Sequence, residues 1–153
     1  IVVRLVGSEM CIRDRSLSDP GVVQTFKSRF KEVFNMRKVD YLFCNKEEAI
    51  SLVGENFVKD LSSLAVNYVV TNGAESSYIS EEGSYAEIKA KSVKAIDSNG
   101  AGDIFAGAAL NKIIEGDSFL NACEFGNYAS SIIVQEKSPR LSIDQYKKLK
   151  ADY

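Results

Sequence analysis

The residues whose types and spacing are best suited to chemistry lie in segment 93–107, which reads VKAIDSNGAGDIFAG. A short apolar, strand-like run ends at Asp97, a tight turn follows, and an apolar helical pattern begins at about Ala101. Gly100 and Gly102 allow backbone amides to approach a ligand closely, because neither has a side chain in the way. The N-terminus of the predicted helix adds unpaired N–H groups and the positive end of its dipole. The turn is therefore suited to binding an anion.

A carboxylate, Asp103, stands in the first turn of this predicted helix. The helix dipole favours a negative side chain there, but the same charge repels an anion bound at the turn. A carboxylate in this position lowers anion affinity unless it takes part in the chemistry. The residues alone leave two interpretations of Asp103: a side chain that only complements the helix dipole, and one that acts on a bound substrate.

The composition limits the remaining chemistry. The chain has 153 residues and no histidine, which excludes histidine-based triads and leaves carboxylates and lysines as candidate acid–base groups. Cys11, Cys44 and Cys123 are odd in number and widely spaced, so neither a disulfide framework nor a zinc site is predicted. This cysteine usage favours a reducing cytoplasm, with Cys44 and Cys123 as small buried hydrophobes.

The charge and hydropathy patterns predict a globular domain with neither a nucleic-acid nor a membrane partner. With 45% hydrophobic residues and a formal net charge of −2, the chain suits one soluble domain with a substantial core. No cluster of lysine and arginine, and no interleaving of aromatic and basic residues, indicates a nucleic-acid-binding face. No apolar run approaches the ~20 residues of a membrane span.

Strand and helix patterns alternate along most of the chain. Asp19 and Pro20 predict a helix start, and apolar residues at positions 22, 23, 26, 30, 33 and 34 predict one buried face. The patterns predict helices at about 20–35, 46–53, 57–65, 101–115, 118–134 and 143–150, buried strands at 39–44 and 68–71, and a hairpin of 77–80 with 85–88. This order predicts a layered α/β fold with a largely parallel sheet.

Polar residues follow the predicted strands. They are Asn45, the group 71–73, and the group 97–103. Ligands of such sheets collect at the carboxyl ends of the strands, so these three polar stretches are expected to converge on one edge.

The first 15 residues, IVVRLVGSEMCIRDR, do not share this order. They have neither clean helical nor clean strand periodicity, and we expect either an edge strand or a foreign or truncated lead-in. The domain is therefore placed at 16–153. A continuous upstream reading frame encoding these same residues would contradict a foreign origin.

Two familiar glycine motifs do not fit the central segment. A dinucleotide-binding fingerprint needs G-x-G-x-x-G, but Phe105 occupies the position of its third glycine. A Walker P-loop needs Lys and Ser or Thr after its last glycine, whereas Gly107 is followed by two alanines. From spacing alone, a plain strand-to-helix turn remains open.

The whole pattern DSNGAGDIFAG resembles the second signature of the ribokinase/PfkB family of carbohydrate and nucleoside kinases, D-T-x-G-A-G-D-x-F. It matches at every fixed position except the threonine, where Ser98 keeps the hydroxyl. Residues 45–48 (NKEE) are similar to the N-x-x-E motif of that family. Residues 71–73 (TNG) are similar to the start of its T-x-G-x-x-G nucleotide loop, with Ser76 in place of the second glycine. The resemblance covers 16 to about 150 and implies a ribokinase-like layered α/β fold.

The resemblance implies an ATP-dependent phosphotransferase acting on an alcohol group of a sugar or nucleoside. Asp103 is then the general base that accepts the hydroxyl proton of the acceptor, and amides of Gly100, Ala101 and Gly102 hold the developing negative charge. Glu48, together with Asn45, is expected to act on Mg²⁺ through water. From the residues alone, Glu48 could equally be a solvated glutamate on a helix face.

Further nucleotide contacts follow from the same resemblance. Thr71 and Gly73 are expected to lie along the ATP phosphates and ribose, although they could form only a strand-ending turn. Asn127 is a weaker candidate for the nucleotide pocket, with an ordinary polar helix residue as the alternative. Asp97 is expected to orient the anion loop or to serve a monovalent-cation site, and its alternative is a cap of the turn.

Family members run to about twice this length, and their N-terminal half supplies most substrate contacts and a small β lid. The chain is therefore interpreted as the C-terminal, ATP-side half of a kinase, binding nucleotide weakly and lacking efficient activity alone. Two segments, SLSDP and FCNKEEAISL, favour the adenosine-kinase-like branch of the family. A homodimer of the full-length protein is left open. The alternatives are a non-catalytic nucleotide-binding or assembly domain and, disfavoured by Phe105, a dinucleotide oxidoreductase domain.

Overall fold

A computed structural model describes residues 14–17, 19–138 and 140–153 of the chain. All of the predicted lead-in except residues 14 and 15 lies outside the described residues. The described elements are β1 (Asp14–Ser16), α1 (Pro20–Thr25), α2 (Lys27–Met36), β2 (Val39–Asn45), α3 (Lys46–Val53), α4 (Phe57–Asp60), a 3₁₀ turn (Leu61–Ser63), β3 (Ala65–Asn72), β4 (Ser76–Glu81), β5 (Ser84–Lys89), α5 (Ala101–Glu115), α6 (Phe119–Ile133) and α7 (Ile143–Ala151).

One five-stranded sheet has the order β1-β2-β3-β4-β5. The first three strands pair in parallel, as the alternation of strands and helices predicts. The predicted hairpin, β4 with β5, then closes the other edge by antiparallel pairing with β3. The α/β fold class is therefore confirmed, with a mixed sheet whose parallel part carries the polar strand ends.

Side-chain alternation along the strands builds two cores, one on each face of the sheet. Leu42 of β2 and Tyr68 of β3 belong to the core covered by α1–α4. Phe43 and Val69, their neighbours in sequence, belong to the core covered by α5 and α6. A third cluster joins α5, α6 and α7 on the outer side. Helices therefore cover both faces of the sheet, and α5 packs directly on the strands that carry the site.

The predicted single helix over 20–35 is wrong in one respect. Phe26, with φ −110° and ψ 21°, interrupts it and divides it into α1 and α2. The predicted apolar face is divided as well: Val23 and Phe34 are buried, whereas Val22, Phe26 and Val33 are 37%, 42% and 44% exposed. The non-helical dihedrals of Phe26 interrupt the helical repeat, so one helical period does not describe both segments.

Two boundaries also differ from the sequence predictions. The helix predicted over 57–65 is a short α4 followed by a 3₁₀ turn, and Ala65 already begins β3. The strand-like run before Asp97 does not join the described sheet. Instead, the N–H groups of Ile96 and Asp97 donate to the carbonyl of Val134, at 2.6 Å and 3.2 Å. Val93 and Ile96 remain 37% and 58% exposed, so their apolar character does not reflect burial in a strand.

Within the described residues, none of the helices has the length and apolar character needed to cross a membrane.

A carboxylate from the sheet caps α6. Glu81 of β4 accepts the N–H of Phe119 at 2.5 Å and the N–H of Leu120 at 3.4 Å, while the Ser118 hydroxyl accepts the N–H of Asn121 at 3.2 Å. Three first-turn N–H groups, which have no partner inside the helix, are thus satisfied. The negative charge of Glu81 also complements the helix dipole.

Glu81→Ala is expected to lower the unfolding free energy of the chain by about 0.5–2 kcal/mol, the usual cost of losing a helix cap. Glu87→Ala, which truncates an exposed glutamate of the neighbouring strand, is the matched control. Urea unfolding of both variants measures the difference. Equal stabilities of the two variants would show that the Glu81 contacts contribute nothing.

Candidate active site

A cavity of about 410 Å³ lies at the carboxyl ends of β2 and β3, beneath the turn that precedes α5. Its rim is polar, and its floor is apolar because Phe43, Val69 and Phe105 come from the core between the sheet and α5. Of the three predicted polar stretches, 97–103 reaches the cavity through five residues, whereas the other two reach it through Asn45 and Thr71 alone. It is lined by Phe43, Cys44, Asn45, Glu48, Val69, Thr71, Ser98, Asn99, Gly100, Gly102, Asp103 and Phe105.

The parallel pairing of β2 and β3 brings two of the predicted residues together. Asn45, the last residue of β2, is the register partner of Thr71 in β3. The Thr71 hydroxyl lies 3.5 Å from the carbonyl of Cys44, at the limit of a hydrogen bond. Thr71 is therefore held at the rim by the sheet itself.

Asn45 and Glu48 form a reciprocal cap at the N-terminus of α3. The Asn45 side chain accepts the Glu48 N–H at 2.8 Å. The Glu48 carboxylate accepts the Asn45 N–H at 3.0 Å and its side-chain Nδ2–H at 2.9 Å. Glu48 is only 5% exposed, so its interpretation as a solvated helix-face residue is wrong. The capping box holds the carboxylate at the cavity wall.

Burial is the largest cause of the pKa shifts of Glu48 and Cys44. It raises the pKa of the Glu48 carboxyl above its ordinary value, with smaller contributions from the charges of Asp19 and Glu47, while the hydrogen bond from the Asn45 backbone opposes the shift. Burial also raises the pKa of the Cys44 thiol, and the nearby charge of Glu48 adds to the effect. Cys44 and Cys123 are both buried free thiols, as expected.

As the pH rises, Glu48→Gln is expected to gain stability relative to wild type. Because burial raises the folded pKa, the stabilising contribution of Glu48 is complete below its ordinary pKa of about 4.3 and is lost as the pH rises through the raised value. Glutamine keeps an acceptor for the Asn45 N–H without ionising. Urea unfolding of both metal-free chains from about pH 4 to about pH 7 measures the difference. A difference that moves toward wild type across this range would contradict the prediction.

The turn before α5 presents backbone donors to the cavity. Gly100 has a φ of +78°, a left-handed conformation that favours glycine. The N–H of Ala101 already donates to the carbonyl of Ser98, at 3.2 Å. Within the described part of the chain, the N–H groups of Gly100 and Gly102 have no hydrogen-bond partner. The predicted anion seat therefore has two open donors, and the third predicted donor, Ala101, is occupied.

Asp103 lies in the first turn of α5, is exposed, and lines the same cavity. Its carboxylate makes neither a hydrogen bond nor an ion pair with any residue that the structure describes. An unpaired carboxylate next to open N–H groups is able to accept a proton from a bound hydroxyl.

Four of the predicted site residues do not line this cavity: Ala101, whose N–H is already bonded, and Gly73, Asn127 and Asp97. Gly73 is exposed in the turn between β3 and β4, with a φ of +56°. Asn127 of α6 donates from Nδ2 to the carbonyl of Lys89, at 2.9 Å, and so ties α6 to the end of β5. Asp97 accepts the N–H of Asn99 at 2.9 Å and stabilises the turn from within.

The sequence prediction missed the apolar floor and one further polar contact. Phe43 and Val69 carry no motif, but the strand alternation that places them on the α5 side could have indicated them. Phe105 is the last fixed residue of the signature at 97–105, but it was not assigned to the cavity. Ser130 of α6, whose hydroxyl donates to the carbonyl of Ala101 at 2.9 Å, gives no local signal because the contact joins separate helices.

The donor set fits a magnesium ion held mostly by water. No group of three or more His, Cys, Asp or Glu side chains in the described ranges could enclose a metal. Mg²⁺, however, usually keeps several waters and takes only one or two carboxylates. An ionised carboxylate has about four acceptor positions, and Asn45 occupies two of those on Glu48. The remaining positions suit the waters of a hydrated cation.

A family model described as pfkB family carbohydrate kinase matches residues 6–145. The chain belongs to this family. The ribokinase/PfkB resemblance drawn from 97–107 is thereby confirmed. The match begins inside the predicted lead-in 1–15, and the proposed boundary at residue 16 stays a prediction.

Similar proteins include both ribokinases and adenosine kinases. The chain is 32% identical over 116 residues to a ribokinase of Staphylococcus aureus (strain COL), covering 69% of this chain and 38% of that protein. It is 28% identical over 139 residues to adenosine kinase 1 of Arabidopsis thaliana, covering 78% of this chain and 40% of that protein. The chain thus spans about two fifths of the curated relatives that it matches.

The fold is shared with solved kinase structures. The crystal structure of adenosine kinase from Sinorhizobium meliloti superposes with a TM-score of 0.83 at 24% identity, covering 92% of this chain and 44% of that one. A probable sugar kinase from Rhizobium etli CFN 42 gives a TM-score of 0.82 at 25% identity, covering 91% and 44%. The ribokinase-like fold predicted from the sequence is therefore confirmed.

Proposed function

We propose that this chain is the ATP-side part of a kinase that transfers the γ-phosphoryl group of ATP to an alcohol group of a sugar or nucleoside. The proposal is supported by one observation above all. The unpaired Asp103 carboxylate and the open N–H groups of Gly100 and Gly102 share a cavity with Asn45 and Glu48. A base, anion donors and a cation-binding carboxylate are the three parts that phosphoryl transfer needs.

Asp103 is proposed as the general base. Its carboxylate accepts the proton of the acceptor hydroxyl, whose oxygen then forms the new bond to the γ-phosphorus as the bond to ADP breaks. The charge of Asp103 repels the phosphates of ATP, which is the conflict noted in the sequence, and the proton transfer gives the carboxylate a reason to be there. Its exposure on the cavity side leaves space for an acceptor.

The N–H groups of Gly100 and Gly102 are proposed to bind the oxygens of the transferring phosphoryl group. Loss of one such donor in acyl-transfer enzymes costs about 2.7–4 kcal/mol, which sets the scale of the effect. Ala101 was expected to contribute a third N–H group. Its hydrogen bond to Ser98 makes that role conditional on a rearrangement of the turn.

Glu48 is proposed to hold Mg²⁺ through water, with Asn45 fixing its carboxylate. When bound, the cation offsets the negative charge of the phosphates. Thr71, at the rim, is proposed to lie along the ATP phosphates. Gly73 and Asn127, which lie outside the cavity, are kept as candidates for the ribose and the base of ATP.

Two further expectations remain proposals. Asp97 orients the anion turn through its hydrogen bond to Asn99, and a monovalent-cation site beside it stays a prediction. A cytoplasmic location is supported by the free thiols of Cys44 and Cys123.

Calorimetric titration of the chain with ATP–Mg²⁺, and separately with NAD, tests the nucleotide site. We expect weak binding of ATP–Mg²⁺ and none of NAD. The full-length product of the reading frame that contains this chain should phosphorylate adenosine, ribose or a fructose derivative, whereas the chain alone should be poorly active. Binding of NAD without ATP would contradict the kinase proposal, and ATP binding by an inactive full-length product would favour a non-catalytic nucleotide-binding domain.

A further inference from the structure

One face of α6 contacts the segment that carries the proposed active site. Gly126, Ser130 and Val134 are spaced four residues apart, so they lie on the same side of the helix. Gly126 is packed against Phe105, and the Val134 carbonyl accepts the N–H groups of Ile96 and Asp97. The three contacts follow the segment from Ile96 to Phe105, in the second turn of α5.

Ser130 makes the middle contact, and it is the one closest to the anion donors. Its hydroxyl donates to the Ala101 carbonyl at 2.9 Å in a partly buried position. That carbonyl and the N–H of Gly102 belong to the same planar peptide group, and in a trans peptide the two point in opposite directions. Fixing the carbonyl toward α6 therefore fixes the Gly102 N–H in the opposite direction. Gly102 lines the cavity, and its N–H has no partner among the described residues.

A hydrogen bond to the carbonyl also polarises the peptide group and strengthens its N–H as a donor. Apart from its chain neighbours and the backbone of α5, Gly102 has no heavy atom within 4 Å of an ideal Cβ position. The Ala101–Gly102 peptide lies in the first turn of α5, so the helix orients it from one side, and the Ser130 hydroxyl is the restraint from outside α5.

We infer that Ser130 is a positioning residue of the phosphoryl-transfer site: its hydroxyl holds the Ala101–Gly102 peptide so that the Gly102 N–H is aimed at the transferring phosphoryl oxygens. This inference rests on the proposed function for its catalytic consequence, but the orientation of the peptide is measurable without any activity. The neighbouring Ser131 supplies a matched control, because its hydroxyl donates to the Tyr128 carbonyl within α6, at 2.7 Å.

The first measurement is the amide NMR signal and hydrogen-exchange rate of Gly102 in this chain. Ser130→Ala should change both, while Ser131→Ala should leave both as in wild type, and Ser130→Thr should restore them because threonine keeps the hydroxyl. A Gly102 signal that responds equally to the two alanine variants, or to neither, would overturn the inference.

The second measurement uses the full-length product of the same reading frame. Ser130→Ala is expected to lower kcat by about tenfold, less than the 10²–10³-fold cost of deleting a donor outright, with KM for ATP nearly unchanged. Ser131→Ala should retain wild-type kcat, and Ser130→Thr should recover most of it. An altered KM with an unchanged kcat would overturn the positioning role. If the wild-type product phosphorylates no sugar or nucleoside, the proposed function is wrong. The Gly102 NMR signal then still tests whether Ser130 orients the Ala101–Gly102 peptide.

Discussion

From the proposed function, Asp103→Asn is expected to lower kcat for phosphoryl transfer in the full-length product of the reading frame by about 10²- to 10⁴-fold, the usual contribution of a positioned general base. Asparagine has nearly the same shape and keeps an acceptor oxygen, but it cannot take up the hydroxyl proton. In wild type the Asp103 carboxylate is exposed, lines the cavity, and has no hydrogen-bond or ion-pair partner among the residues described.

The same substitution has a second expected effect, of opposite sign. Removing a negative charge beside Gly100 and Gly102 removes its repulsion of the ATP phosphates, so affinity for ATP–Mg²⁺ should stay constant or rise. Calorimetric titration of this chain measures that effect without any need for catalysis. A combined fall in kcat and gain in ATP affinity is what a base next to an anion site predicts.

Asp144→Asn is the matched control for Asp103→Asn. Asp144 occupies the first turn of α7, as Asp103 does in α5, so both substitutions remove a carboxylate that complements a helix dipole. Its contact with Lys147 is long, at 4.0 Å, and largely exposed, so it contributes little. If both variants behave alike, Asp103 is only a dipole complement, and another residue must act as the base.

The elements that could be predicted from the sequence are those with local signals. The bounds of α3 are a case in point: Asn45 and Glu48 supply the capping box, and Gly54, with a φ of +99°, ends the helix. The α5 start was likewise predicted at about Ala101, from the turn and the apolar helical pattern that follows it, and the structure places Gly100 before it in a left-handed conformation. Convergence of Asn45 and Thr71 followed from parallel strands ending at one edge. The α5 turn reaches the same cavity although the run before it lies outside the described sheet, so its place did not follow from that rule.

The features that escaped prediction depend on contacts between distant residues. The break at Phe26 leaves apolar residues exposed that a single helical period would bury. The Glu81 cap of α6 joins residues 38 positions apart, and the Ser130 contact joins residues 29 apart. The occupied N–H of Ala101 depends on the exact form of the turn, which spacing does not specify. Several residues that line the cavity were thus predictable from local motifs, and the contacts that hold them in place were not.

Gly126→Ala is expected to destabilise the chain by about 1–3 kcal/mol, the usual cost of overpacking a filled core. A Cβ at Gly126 would lie 2.8 Å from the Phe105 carbonyl oxygen and 3.2 Å from its ring. The nearest atom is backbone, which cannot rotate away, so α5 would have to move relative to α6. Alanine is otherwise the better helix former, so a measured loss reports the clash and not helix propensity.

Gly107→Ala is the matched control, because it makes the same change inside α5 at a position where no heavy atom, apart from its chain neighbours and the backbone of α5, lies within 4 Å of the new Cβ. It should stabilise the chain by about 0.5–1 kcal/mol, the propensity difference between the two residues. Urea unfolding of the two variants should therefore give changes of opposite sign. Phe105 also forms the cavity floor, so Gly126→Ala, unlike Gly107→Ala, should weaken ATP–Mg²⁺ binding in the fraction that remains folded. Equal effects of both substitutions would show that α5 and α6 have room to separate, and that the close approach at Gly126 does not set the position of the proposed active site.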